Sequence, residues 1–229
     1  HVPILNQETY RRVYSKPSAV KACREIQSRR DALYELTCKS NLVAIVTDGT
    51  AVLGLGDIGA GAGLPVMEGK SVLFKSFGGV EAFPVCLQTT DVEELVASIK
   101  AIAPIFGGMN LEDIAAPRCF EIEERLIAET DIPIFHDDQH GTAVVTVAAI
   151  LNAVKAVGKP IGQVRIAVNG AGASALSVSR LLLKSGVKDI VICDTKGILY
   201  KGRSVGMNPF KDKIADLTNL TGMQGQLKD

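Results

Sequence analysis

The chain carries no excess charge of either sign: 25 Lys plus Arg stand against 25 Asp plus Glu across 229 residues. That balance leaves no field to draw it to nucleic acid or to an anionic membrane. It has no apolar run approaching the roughly 20 residues that cross a bilayer. The opening HVPILNQETY lacks the basic, apolar and small-residue succession of a secretory signal. The cysteines, Cys23, Cys38, Cys86, Cys119 and Cys193, form no C-x-x-C pair, and most lie in apolar stretches such as FPVCL and IVICD. They read as reduced core residues of a cytoplasmic protein. Internal repeats and low-complexity segments are lacking as well, and the closing TGMQGQLKD reads as a truncated C-terminus.

What is present is enough apolar residue, 47%, to bury a sizeable core and perhaps two modest domains. Ser18 followed by AVKACREIQSRR predicts a capped basic helix, and NLVAIVTD from residue 41 a buried strand. VEAFPVCL predicts a second strand, and TTDVEELVASIKAI a helix with the capping-box spacing Thr90 to Glu93. PRCFEIEERLIAE predicts a helix with Pro117 in its first turn and Glu121, Glu123 and Glu124 on a solvated face, Glu121 pairing with Arg125. IPIF predicts a strand leading to His136, and TAVVTVAAILNAVKAVG from Thr142 a buried helix, apolar almost all round. Strands alternating with helices indicate an α/β fold.

Two glycine loops compete for one chemistry. Gly54, Gly56 and Gly59 in LGLGDIGAGAGLP spell G-x-G-x-x-G, the dinucleotide fingerprint. The sequel, small residues and then Pro65, is a poor helix start, so this stretch is read as a flexible loop without a nucleotide. The second loop, Gly170, Gly172, Ala173 and Ala175, follows the strand RIAVN, opens the helix ALSVSRLLLKS and precedes the strand IVICD. That is the βαβ context in which amides at a helix N-terminus hold a pyrophosphate. Asp194 at the end of the next strand would accept the ribose hydroxyls of NAD, whereas Lys196 would pair with the 2′-phosphate of NADP.

Carboxylates gather at two predicted strand ends: Glu112 and Asp113 after PIFGGMN, Asp137 and Asp138 after IPIF. Strand C-termini of an α/β sheet meet at one crevice. Three hard oxygen ligands there suit Mg²⁺ or Mn²⁺, and helix capping accounts for Asp137 and Asp138 equally well. His136 and His140, four apart, read as structural because a zinc pair would need a helix through Gly141.

Taken together, VAIVTDGTAVLGLGDIGAGAGLPVMEGK, FGGMNLEDIAAPRCFEIE and FHDDQHGTAVVTVAAIL resemble the malic enzyme family, particularly its short bacterial members, from about Tyr14 to the last residue. The resemblance implies oxidative decarboxylation of malate to pyruvate and CO₂ with NAD or NADP and Mg²⁺ or Mn²⁺. It implies Glu112, Asp113 and Asp138 as metal ligands, Lys70 as base and Tyr14, with Tyr10 as its rival, as acid. It further implies a substrate and metal domain over 1–145, a partial dinucleotide-binding Rossmann domain over 146–229, a homodimer or larger homo-oligomer, and a family sequence running beyond Asp229. Larger animal-type members carry an Arg near Ala51 for a substrate carboxylate; here the glycine-loop amides and Lys70 are expected to replace it. The alternatives are a malolactic enzyme, an amino-acid dehydrogenase, which leaves the carboxylates unexplained, and a non-catalytic truncated subunit.

Overall fold

The computed structural model describes residues 5–14 and 16–228, with residues 12–14 and 16–18 described by backbone alone. Helices α1 (Gln7–Tyr14), α2 (Lys16–Ser28) and α3 (Ala32–Leu36) lead to the first strand, β1 (Leu42–Thr47). Then follow α4 (Ala60–Leu73), β2 (Glu81–Cys86), α5 (Val92–Ile102), β3 (Gly108–Leu111), α6 (Arg118–Glu129) and β4 (Ile134–His136). These four strands form one parallel sheet in the order β2-β1-β3-β4. The long α7 (Asp137–Ala156) crosses to a second sheet, in which β5 (Arg165–Asn169), α8 (Ala173–Lys184) and β6 (Asp189–Asp194) form the expected parallel unit. The short β7 (Gly197–Ile198) adds antiparallel to β6, and α9 (Pro209–Ala215) closes the described fold.

One continuous apolar core joins the two halves, from Ala44, Leu95 and Leu126 under the first sheet to Leu176, Leu182 and Ile192 in the second. Helix α7 packs against α8 through a single stripe, burying Gln139, Ala143 and Val147 at i,i+4 spacing. Its apolar Val144 and Val145 are exposed, so the helix is one-sided rather than buried all round. No helix among the described residues is long and apolar enough to cross a membrane.

Several local expectations change. The stretch after Gly59 is a regular helix, α4, not a flexible loop. Gly59, at φ 79°, turns the chain into it, and the small residues serve close packing: Gly63 lies over Gly49 and Val52. Pro65 is exposed, and the carbonyl it leaves unbonded, that of Gly61, lies in an exposed first turn. Helix α7 starts at Asp137 and runs through Gly141, so most of HDDQHGT is helical. Asp91, not Thr90, caps α5, its Oδ1 accepting from the Glu94 amide at 3.0 Å. Arg125 pairs with Glu93 and Glu129 instead of Glu121. Only Cys119 and Cys193 are buried, whereas Cys23 and Cys38 are exposed; all five are free.

Candidate active site

The C-terminal ends of β1, β3 and β4 lie side by side, with Val46 opposite Leu111 and Leu111 opposite His136. The residues that follow these ends therefore meet. Glu112, Asp113 and Asp138 each offer a carboxylate oxygen, all within 4.8 Å of one another. The cluster is organised by short bonds: Asn110 Nδ2 donates to Glu112 Oε2 at 2.7 Å, and the Asp113 amide donates to Asp138 Oδ2 at 3.0 Å. Asp113 holds φ 54°, a left-handed conformation uncommon outside glycine and often found at functional sites.

Lys70, near the end of α4, reaches this cluster: its Nζ lies 3.0 Å from Glu112 Oε2 and donates to Asp137 Oδ2 at 2.5 Å. Asp137 thus stands outside the cluster of three carboxylates and accepts from the lysine. Burial pushes Glu112 up to about 7 and Asp113 up to about 6; the nearby Asp138 charge adds to both, against the pull of Lys70. For Lys70, burial acts to lower the pKa, and the bonds and charges of Asp137 and Glu112 outweigh it, leaving the group above the ordinary lysine value.

The donor set is chemically suited to a hard dication. Two of its carboxyls are held away from their ionised forms by burial and mutual repulsion, and a divalent cation would relieve both. His136 and His140 do not join the three carboxylates; His140 Nε2 bonds Glu123 at 2.9 Å. Glu123 was expected on a solvated face. It is buried, accepting from the His136 amide at 3.0 Å and from Gln139 Nε2 at 3.1 Å, and so fixes the β4–α7 junction. The apolar neighbours Ile122 and Leu126 were the available signal for that burial.

The second glycine loop abuts this cluster. Ser174 Oγ, inside the sequence Gly170 to Ala175, donates to the Asp138 carbonyl at 2.7 Å. Gly172 occupies the N-cap position of α8, and Ala173 opens the helix. Asp194 ends β6 as expected, but its carboxylate is engaged: Arg203 binds it through both guanidinium nitrogens at 2.9 and 2.5 Å, and Lys211 Nζ at 2.7 Å. The Lys196 amide completes the set at 2.8 Å while its side chain is exposed. Neither Arg203 nor Lys211 carries a local sequence signal; both arrive through the chain that returns after β7.

The chain belongs to the malic enzyme family. The family model "Malic enzyme, N-terminal domain" matches residues 6–127, more than half of the chain, and "Malic enzyme, NAD binding domain" matches residues 139–227. The bifunctional malic/malolactic enzyme of Bacillus subtilis is 54% identical over 228 residues, covering all of this chain and 55% of that protein. The NAD-dependent malic enzyme of Geobacillus stearothermophilus is 50% identical, with 47% of its length covered. The crystal structure of an NAD-dependent malic enzyme from Thermotoga maritima superposes with a TM-score of 0.95 at 44% identity, over 99% of this chain and 60% of that one. The chain thus spans about half the length of the curated relatives it matches.

In this malic enzyme chain the first glycine loop, expected to supply substrate-binding amides, is largely self-satisfied. The amides of Ala51, Val52, Leu55, Gly56, Ile58 and Gly59 all donate within the protein. Arg118, missed in the sequence, pins the loop by contacting Asp48 Oδ2 at 2.9 Å and Thr50 Oγ1 at 3.0 Å. Tyr10 is exposed on α1, and the Tyr14 side chain lies outside the described residues.

Proposed function

We propose that the protein containing this chain oxidatively decarboxylates malate to pyruvate and CO₂, with NAD or NADP as oxidant. The observation that carries this reading is the meeting of Lys70, the three carboxylates and the second glycine loop at the strand ends of the first sheet. Glu112, Asp113 and Asp138 would hold Mg²⁺ or Mn²⁺, which when bound acidifies the malate hydroxyl and polarises the carbonyl that replaces it. Gly170, Gly172, Ala173 and Ala175 would hold the nicotinamide cofactor, which when bound would supply the oxidant for C2, and Asp194 and Lys196 would be the residues offered to its adenosine ribose, Asp194 on release of part of its present bonding.

Lys70 takes the hydroxyl proton. To do so it must first lose its own, and the two anions beside it oppose that loss. Were Glu112 to hold a cation, Asp137 would be the carboxylate left beside Lys70 to take that proton. Tyr14, with Tyr10 as the alternative, protonates C3 after CO₂ departs. The domain division at residues 145 and 146 assigns the metal and base to the first part and the cofactor to the second, and a homodimer or larger homo-oligomer is the assembly in which the site works.

The test is malate-dependent reduction of NAD and of NADP, each with and without Mn²⁺, on this chain and on a longer parent. Reduction of one nucleotide that depends on Mn²⁺ is expected from the parent; none with either nucleotide rejects the reading. The name of the Bacillus subtilis relative favours a second reading, in which the cofactor stays bound and lactate is released. Malate consumption without net NADH would identify that outcome.

A further inference from the structure

His136 is fully buried at the end of β4, and neither ring nitrogen has a hydrogen-bond partner among the described residues. An imidazole always carries at least one N–H, so one donor is withdrawn from water with nothing in return. A phenylalanine or leucine would fill the same volume without that cost. The rest of the residue is firmly held: its amide donates to Glu123 Oε1, and it pairs with Leu111 in the sheet, one residue from Glu112. The nearest carboxylate oxygen to the ring is Asp138 Oδ2, 4.0 Å from Nε2.

The other carboxylates around the ring are already committed. Glu112 receives the Asn110 amide group, Asp137 receives Lys70, and Glu123 receives Gln139 and His140 as well as the His136 amide. Among the described residues Asp138 has only a backbone donor, the Asp113 amide. Ligating carboxylates are generally steered by a second hydrogen bond, and the partner that supplies it sets affinity.

We infer that His136 is a positioning residue for the metal site: its Nε2–H donates to Asp138 when that carboxylate serves as a ligand, as Asn110 already does for Glu112. A movement of about 1 Å by the Asp138 side chain brings 4.0 Å to hydrogen-bond length. The polar group that is costly without metal thus acquires its partner in the loaded site. This inference rests on the metal reading of Glu112, Asp113 and Asp138.

The experiment titrates the full chain with Mn²⁺, following free Mn²⁺ by electron paramagnetic resonance, and records metal-free melting temperatures in parallel. His136→Phe should bind Mn²⁺ 10–100-fold more weakly while melting at or above the wild-type temperature. His136→Asn, which restores a donor, should recover much of the affinity. A residue of merely structural importance gives the reverse, a lowered melting temperature with unchanged Mn²⁺ affinity, and that result overturns the inference. Wild-type chain that binds no Mn²⁺ overturns the metal reading itself; wild-type and His136→Phe chains that bind equally well overturn only the role of His136. Should both variants fail to fold, nitrogen-15 spectra of the wild type decide. Adding Mg²⁺ should shift the His136 ring N–H as a new hydrogen bond forms, and an unmoved resonance counts against it.

Discussion

Lys70 Nζ lies 3.0 Å from Glu112 Oε2, so the proposed base and a proposed metal ligand neutralise each other in the metal-free protein. Both groups lie above their ordinary values, and within the pair the influence is opposite in sign: against the upward push of burial Lys70 holds Glu112 down, and Glu112 helps to lift Lys70. A dication on the carboxylates breaks this reciprocity. The same substitution therefore has different consequences for the two halves of the proposed reaction.

Lys70→Ala should lower kcat/KM for malate oxidation by about 10²–10⁴-fold, the usual worth of a positioned general base. Decarboxylation of added oxaloacetate, which begins with the hydroxyl already oxidised, should survive in part because the three carboxylates remain. The measurement is the two rates side by side in Mn²⁺. Equal loss of both would remove Lys70 from the first proton transfer.

The contribution of Glu112 and Asp113 to the stability of the metal-free protein should fall as pH rises from about 4 to about 7. Glu112 and Asp113 titrate near 7 and 6 when folded but near 4 when unfolded, so the folded state binds more protons across that window and stability falls through it. Mn²⁺ should flatten the fall and raise the melting temperature at pH 7, by about 2.7 kcal/mol of stabilisation at one hundred times its Kd. Asp138→Ala should abolish the Mn²⁺-dependent rise. A rise that persists in this variant locates the ion elsewhere.

The βαβ unit from Arg165 to Asp194 was legible because strand, glycine turn, helix and strand each carry their own local signal. The clustered carboxylates were legible as strand-end pairs, and only the resemblance separated Asp138 from Asp137; the structure adds that one accepts from the Asp113 amide and the other from Lys70. Helix α4 was misread because composition argued against it, Gly61, Gly63 and Pro65 being poor helix formers. Tertiary packing on Gly49 and Val52 outweighed propensity there. The roles of Glu123, Arg118 and Arg203 were invisible because their partners follow no short motif: His136 and Asp194 lie across a turn of the chain, and Asp48 lies on a distant strand end.

Asp194→Asn should destabilise the protein by about 3 kcal/mol, since it leaves the buried Arg203 guanidinium without its bidentate partner. Arg203 and Lys211 hold the Asp194 carboxyl well below the usual carboxylate range. Its contribution is therefore complete above the unfolded pKa near 4 and is lost as pH falls through the lower folded value. Melting curves of wild type and variant should differ most near neutrality and converge in acid. A difference that grows on acidification contradicts the assignment.

Gly49→Ala should be far more damaging than Gly54→Ala, although both glycines have positive φ, 71° and 78°. Each alanine takes on the cost of a left-handed conformation, about 1–2 kcal/mol. At Gly54 that is the whole cost, because a Cβ there meets nothing within 4 Å. At Gly49 the Cβ would stand 2.3 Å from the Gly59 carbonyl oxygen and 2.8 Å from the Ala60 nitrogen, all backbone, so the start of α4 must move. A helix transmits such a displacement along its axis, and Lys70 lies roughly 15 Å further on at 1.5 Å per residue. Gly49→Ala should thus lower the melting temperature several degrees more than Gly54→Ala and also reduce malate turnover. Equal melting temperatures for the two variants would mean that the close approach of Gly49 to Gly59 and Ala60 does not set the start of α4.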